Sequence, residues 1–325
     1  MKSNEVIKMD MYQKRKIRAE KKKDDSPKSF PSVGINWFPG HMAKTRRQIT
    51  EDLKMIDVVI ELLDARIPAS SQNPEIRQIL GDHKKVIAMN KSDLADESDN
   101  KKWINKMNKD GNIAVLTNSN TGRGTEEVIR QIQKIMTDDL KKMAEKGRTG
   151  RKIRIMIVGI PNVGKSSFIN RISKRDSAKT GNKPGVTKAK QWIRINNEIE
   201  LLDTPGVLWP KFDSEEVALN LAFTGTIKDE ILESTEIAYQ LTKYLLKNYK
   251  SNFIERYSLS EEIVNEILEQ DQEENENIYQ IMQLVGKKRG AIMSGGYVDD
   301  EKTSKIILDD FRSGKLGKIT LEKVK

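Results

Sequence analysis

Gly159-Ile160-Pro161-Asn162-Val163-Gly164-Lys165-Ser166 is the stretch that decides the fold. It fits G-x-x-x-x-G-K-[ST] in full, follows a β-branched apolar run at 153–158 and precedes a helix-like stretch at 165–172. That sequence of strand, glycine loop and helix cradles phosphate. Glycines let backbone N–H groups turn inward, and the helix N-terminus favours negative charge. Lys165 brings a point charge to the terminal phosphates, with Asn162, Val163, Gly164, Ser166 and Ser167 around the same groups. The Ser166 hydroxyl suits a Mg²⁺ ion. A chance glycine turn is the competing reading, and the flanking strand and helix leave it little room.

Working outward, similar apolar runs recur at 58–63 (ending at Asp64), 85–89, 113–116, 192–195 and 199–202. Helical spacing lies between several of them. Residues 43–54 are one such segment, and Val128, Ile129, Ile132, Ile135, Met136 and Leu140 form a stripe in another. Six strands with intervening helices predict an α/β fold: a mostly parallel sheet of the P-loop type, covered on both faces. Strand signals stop after about Ser214, and 227–247, 260–270, 278–285 and 304–311 read as helices, with Ser260 as an N-terminal cap. The expected organisation is a basic, disordered extension at 1–34, an α/β domain at 35–212 and an all-helical domain at 213–325.

The 325-residue length suits two domains. Charged residues make up 33% and no apolar run approaches the roughly 18 residues of a membrane span. The absence of Cys excludes disulfides and thiolate sites, and two His make a His-rich metal site improbable. No secretory apolar segment opens the chain, so a soluble cytoplasmic protein without membrane contact is expected. The formal net charge of +10 points to an anionic partner, most simply nucleic acid. Residues 215–286 reverse that sign, with 15 acids and 5 bases, so the basic ends would carry such binding.

Asn90-Lys91-Ser92-Asp93 closes the run at 85–89 in the N-K-x-D form of a guanine site. The Asp93 carboxylate can accept from N1–H and the exocyclic amine of guanine; adenine offers no such pair, which would leave a buried carboxylate unpaired. Asn90 can hold the loop, and the Lys91 stem can cover the ring. The loop 117–122 follows the next strand; it contains Asn118 and Ser119 and suits a supporting base loop whose backbone N–H groups meet the guanine carbonyl. Asp203-Thr204-Pro205-Gly206 would hold Mg²⁺ through water by its Asp and reach the γ-phosphate by the Gly206 N–H. Thr187 is the natural second hydroxyl ligand for Mg²⁺. The nucleotide so described is GTP.

The order is rearranged: N-K-x-D precedes the phosphate loop by about seventy residues. A site is defined by spatial proximity, so a permuted chain can build it equally well. Two unrelated domains with one motif each would leave each half without a complete sheet. The loop after Asp203 leads straight into the helical domain, which wires nucleotide state to that domain.

These motifs, with Asn36-Trp37-Phe38-Pro39-Gly40-His41-Met42-Ala43-Lys44, Asp64-Ala65-Arg66-Ile67-Pro68, Ser70-Ser71-Gln72-Asn73-Pro74 and Leu221-Ala222-Phe223-Thr224-Gly225-Thr226-Ile227-Lys228, resemble the circularly permuted GTPases of the ribosome biogenesis GTPase A type. The resemblance runs from about Ile35 to the C-terminus. It implies GTP hydrolysis stimulated by ribosomal particles. It further implies GTP-dependent binding to the precursor of the large ribosomal subunit, with its rRNA and ribosomal proteins, during late 50S maturation by a protein monomeric when free.

Many GTPases orient the attacking water with a Gln after D-x-x-G; here Val207 and Leu208 follow. His41 is the candidate replacement, since imidazole titrates near working pH and the resemblance implies this role. Its plain alternative is a helix-opening residue. Asn162 resembles a K⁺ ligand of related GTPases, the alternative being a loop Asn that satisfies its own turn. Lys287, Lys288 and Arg289 are the leading RNA-binding candidates. Two rivals stay open: a GTPase of another class, acting on tRNA or in signalling, and a nucleotide-gated RNA-binding scaffold with negligible turnover.

Overall fold

A computed structural model of the chain describes residues 39–147, 150–173, 192–202, 214–227, 234–270 and 274–324, with 39–45 and 274–275 described by their backbone alone. The basic extension at 1–34 lies outside the described residues. Trp37–Lys325 forms one compact unit.

The strands are β1 (Val58–Asp64), β2 (Lys85–Asn90), β3 (Ile113–Leu116), β4 (Ile153–Val158), β5 (Trp192–Arg194) and β6 (Ile199–Leu202). They form one sheet in the order β3-β2-β1-β4-β6-β5, parallel except for β5, which runs antiparallel to β6. All seven residues of β1 are buried, so both faces of the centre are covered; five are apolar, and Glu61 and Asp64 are buried charges. On one face Val59, Met156, Val158 and Leu202 pack with Ile49 and Leu53 of α1 (Pro39–Leu53) and Ile76 and Leu80 of α2 (Pro74–Leu80). Farther along, Leu63, Ile87 and Met89 meet Trp103 and Met107 of α3 (Glu97–Lys109). The intervening residues Val58, Ile60 and Leu62 point oppositely by the alternation of a strand and are fully buried too. α4 (Thr125–Glu145) lies against β2, β3 and α5 (Lys165–Ser173).

The parallel strands point the same way, so the loops that follow β1, β2, β3 and β4 meet along one edge of the sheet. The phosphate-loop strand β4 is central, between β1 and β6, and β2 lies beyond β1. The rearranged chain order thus still yields a continuous sheet.

Among the described residues beyond the sheet lie the helices α6 (Glu215–Phe223), α7 (Ser234–Asn248), α8 (Lys250–Tyr257), α9 (Glu261–Glu269), α10 (Glu274–Lys288) and α11 (Asp300–Arg312). α7 buries Ile237, Ala238, Leu241, Thr242, Leu245 and Leu246 and packs against α6, α8, α10 and α11. Ser260 caps α9 as its sequence predicts, its hydroxyl accepting from Ile263 N. The helix predicted at 227–247 is described over Ser234–Asn248, and 228–233 lie outside the described residues. Ile227 is buried in the turn that ends α6, its N–H directed at the Leu221 carbonyl. An apolar residue that seats a turn mimics a helix position in the sequence.

After α11 the chain returns to the sheet half. Ile319 N donates to Leu94 O and Leu321 N to Arg66 O, both at 2.9 Å, while the Trp103 indole donates to Glu322 O at 2.9 Å. The Glu322 carboxylate accepts from Ala69 N, Ser70 N and Asn220 Nδ2 and bonds the Ser70 hydroxyl. Burial pushes this carboxyl up, and those donors oppose the shift. No helix among the described residues is long and apolar enough to cross a membrane.

Candidate active site

The phosphate loop and the N-K-x-D loop converge through Asn90. Its Nδ2 donates to Val163 O at 2.8 Å. Its Oδ1 accepts from Ser119 N at 3.0 Å and from the Ser119 hydroxyl at 2.7 Å. One buried amide therefore joins three segments far apart in the chain, with both ends of the side chain satisfied. Gly164 makes room for it: its φ is 101°, and a Cβ there would lie 2.4 Å from Asn90 Nδ2.

Lys91 continues the junction. Its ammonium donates to Asp64 Oδ2 at 2.9 Å and Asn162 O at 2.7 Å. Asp64 also takes Arg66 through two bonds, Nε to Oδ1 at 3.0 Å and Nη2 to Oδ2 at 2.8 Å. Burial alone would raise the Asp64 carboxyl, but the adjacent Arg66 and Lys91 charges hold it well below the usual carboxylate range. Lys91 itself is pushed down by burial, an effect Asp64 partly offsets. Arg66 reaches onward to Arg312 O at 3.4 Å and lies 5.2 Å from the Phe311 ring centroid.

Within the phosphate loop, Lys165 Nζ donates to Gly159 O at 3.0 Å and Ile160 O at 2.6 Å. Burial, then the nearby Lys91 charge, pushes its pKa down to about 8. Asn162 adopts a φ of 57° and donates through Nδ2 to Gly225 O at 2.6 Å. Ser166 and Ser167 follow in the first turn of α5, with Ser166 exposed. An exposed hydroxyl beside the loop lysine fits a Mg²⁺ site. Mg²⁺ keeps much of its shell as water and phosphate oxygen, so few protein ligands are needed.

The base loop is tightly self-bonded. Asn118 Oδ1 accepts from Asn120 N and Thr121 N, and Gly122 N donates to Asn118 O. With Ser119 N on Asn90, every N–H from 119 to 122 has a protein acceptor. A guanine carbonyl would have to share one of them. Asp93 is exposed and accessible to a base edge. A cavity of about 1400 Å³ opens beside this loop, bordered by Ser119, Asn120, Ser167, Asn170, Arg171 and Asn196 among others.

Of the predicted site, Asn90, Lys91, Ser119, Asn162 and Val163 are joined by these bonds; Gly164 lies against Asn90, Lys165 and Asn118 bond within their own loops, and Ser166 and Ser167 follow Lys165. Thr187, Asp203 and Gly206 lie outside the described residues. His41 falls in the first turn of α1, and its side chain lies outside them too. Lys287, Lys288 and Arg289 are exposed around the end of α10. Arg171 went unpredicted: from α5 its guanidinium donates to Ser119 O at 3.3 Å and bonds Asn120 O, bracing the base loop. An arginine on a helix carries no sequence signal for that role.

Residues 154–283 match the family described as "50S ribosome-binding GTPase". Ribosome biogenesis GTPase A of Bacillus cereus is 47% identical over 288 residues, covering 89% of this chain and 93% of that protein. Its counterpart in Bacillus licheniformis is 46% identical over 289 residues, covering 89% and 98%. Among solved structures, GDP-bound TM YlqF superposes with a TM-score of 0.61 at 24% identity, over 85% of this chain and 99% of that one, a likeness of fold.

Proposed function

We propose, from the premise that this chain belongs to the ribosome biogenesis GTPase A family and is a GTP-hydrolysing enzyme, that it binds the large-subunit precursor in its GTP state and promotes late 50S maturation in the cytoplasm. The observation that carries the nucleotide part is the Asn90–Val163 bond, which builds one site from the guanine motif and the phosphate loop. The net charge of +10 and the exposed Lys287, Lys288 and Arg289 support an rRNA partner.

In this reading Asp93 accepts from guanine N1–H and the exocyclic amine, and the Lys91 stem covers the ring. Lys165 leaves the carbonyls of Gly159 and Ile160 for the terminal phosphates. Ser166, Thr187 and Asp203 would hold Mg²⁺, and the Gly206 N–H would meet the γ-phosphate. Bound Mg²⁺ neutralises charge on the phosphate oxygens. Asn162 supplies an oxygen for K⁺. His41 orients or deprotonates the attacking water, since Val207 cannot. The loop around Asp203 leads into α6, so hydrolysis loosens the helical half from the particle.

The test is co-sedimentation with large-subunit particles in GTP, GDP and a non-hydrolysable GTP analogue, alongside turnover with and without those particles. GTP-favoured binding and stimulated turnover support the reading. Binding indifferent to nucleotide sinks it. GTP-dependent binding without measurable turnover would instead favour the scaffold rival that Val207 keeps open.

A further inference from the structure

Between α10 and α11 the chain makes a small hairpin that the nucleotide site does not use. Ile292 and Val298 form an antiparallel bridge, Met293 N donates to Tyr297 O at 2.8 Å, and Gly296 N to Met293 O at 3.1 Å. Gly295 and Gly296 close the tip at φ values of 94° and 82° that other residues rarely adopt. The foot is fixed: Ala291 and Val298 are buried, and Ala291 N and O bond Gly286 O and Asp299 N. A Cβ on Gly286 would sit 2.3 Å from Val298 Cγ1. A glycine inside α10, disfavoured there by helix propensity, is therefore what lets the hairpin seat.

The tip is apolar and open. Tyr297 is 64% exposed, Ile292 41% and Met293 37%, three of the five large apolar side chains exposed among the described residues. Next to the hairpin, Lys287, Lys288 and Arg289 are all exposed at the end of α10. Arg289 is anchored, its guanidinium 5.2 Å from the Tyr257 ring centroid and donating to Arg256 O. On the α11 side Asp299 is occupied as the helix cap and Asp300 bonds Tyr279 and Gln283. Lys302 of α11 is exposed too and reaches Gly290 O, so basic side chains from both helices gather at the foot of the hairpin.

We propose that this hairpin is a stacking platform for unpaired nucleotides of ribosomal RNA, with Tyr297 meeting a base face and Lys287 and Lys288 meeting the adjoining phosphates. The inference rests on the rRNA reading above and names the surface that executes it. An exposed aromatic ring on a rigid support beside basic side chains is the chemistry that captures single-stranded RNA. A ribosomal protein surface would call for a broader continuous apolar patch without the lysines.

The experiment measures binding of the full chain, with a non-hydrolysable GTP analogue, to deproteinised large-subunit rRNA and to intact particles. Tyr297→Ala is expected to weaken both by roughly 10-fold, with an unchanged salt slope, and Tyr297→Phe to stay within about 2-fold of wild type. The double variant Lys287→Ala, Lys288→Ala is expected to flatten the salt dependence. Thermal unfolding of each variant checks folding. Tyr297→Ala equal to wild type on both targets overturns the proposal while leaving the function intact. A loss on particles alone assigns the hairpin to a protein neighbour and also overturns it. Wild type that binds neither target defeats the rRNA reading itself.

Discussion

The side-chain amide of Asn162, at the tip of the phosphate loop, donates to the main-chain oxygen of Gly225 across 2.6 Å. Gly225 sits in the turn closing α6, and Arg312 from α11 lies against it while donating to Phe223 O and Ala222 O. Arg66 reaches Arg312 O from the other side, and Asp64 and Lys91 complete a ring back to Asn162 O. The phosphate loop is thus bonded directly to the helical half, independently of the loop that follows Asp203. Asn162 Oδ1 remains the atom for the proposed K⁺. Wild-type turnover is expected to be higher in KCl than in NaCl, and Asn162→Ala to abolish the difference. Equal wild-type rates in the two salts would remove K⁺ from the account.

Lys165 makes nucleotide affinity depend on pH. Its pKa is about 8 in the protein alone, and adjoining phosphates would raise it. The ammonium form is half lost at pH 8, so affinity is full only well below that and falls as pH rises through 8. Titrating a fluorescent GTP analogue at pH 7 and pH 9 should show weaker binding at pH 9. Identical dissociation constants would contradict the placement of Lys165 against phosphate.

Asp64→Asn removes the shared anion from Arg66 and Lys91 and leaves buried positive charge uncompensated. The expected cost is about 3–5 kcal/mol, read by denaturant unfolding. The same carboxylate sets an acid limit. Its pKa is lower in the folded chain than the ordinary 3.8, so its stabilisation is complete above about pH 4 and is lost as the pH falls below that. Asp64→Asn should accordingly flatten the acid limb of the stability profile.

Glu322 ties the returning C-terminal segment to the loop after β1. Glu322→Ala leaves Ala69 N and Ser70 N without their acceptor, a loss of roughly 1–3 kcal/mol. Hydrogen exchange should also report loosening at 69–73 and 319–324. Unaltered protection there would mean the carboxylate contributes nothing to the docking.

His41→Ala is expected to lower particle-stimulated turnover by 10²-fold or more, within the range of a lost general base, and to leave GTP affinity near wild type. Stimulated turnover equal to wild type would return His41 to a helix-opening role.

Much of this was legible beforehand. The six strands, the phosphate loop at 159–166 and the N-K-x-D at 90–93 are local signals: β-branched runs of strand length and loops whose glycines and side chains occupy fixed offsets. Periodicity placed Ile227 in a helix because a buried apolar residue in a turn carries the same mark as one in a helix.

What folding alone decided are the partnerships between distant residues. Nothing near Asn90 announces Val163, nothing near Arg66 announces Arg312, and the basic tail reads as a solvated surface although its Lys323 bonds Asp99 and its Glu322 is buried. A sequence records the conformational preference of neighbours through sterics and periodicity. Which polar groups meet across 70 to 250 residues depends on how every intervening strand and helix packs, and only the closed three-dimensional arrangement fixes that.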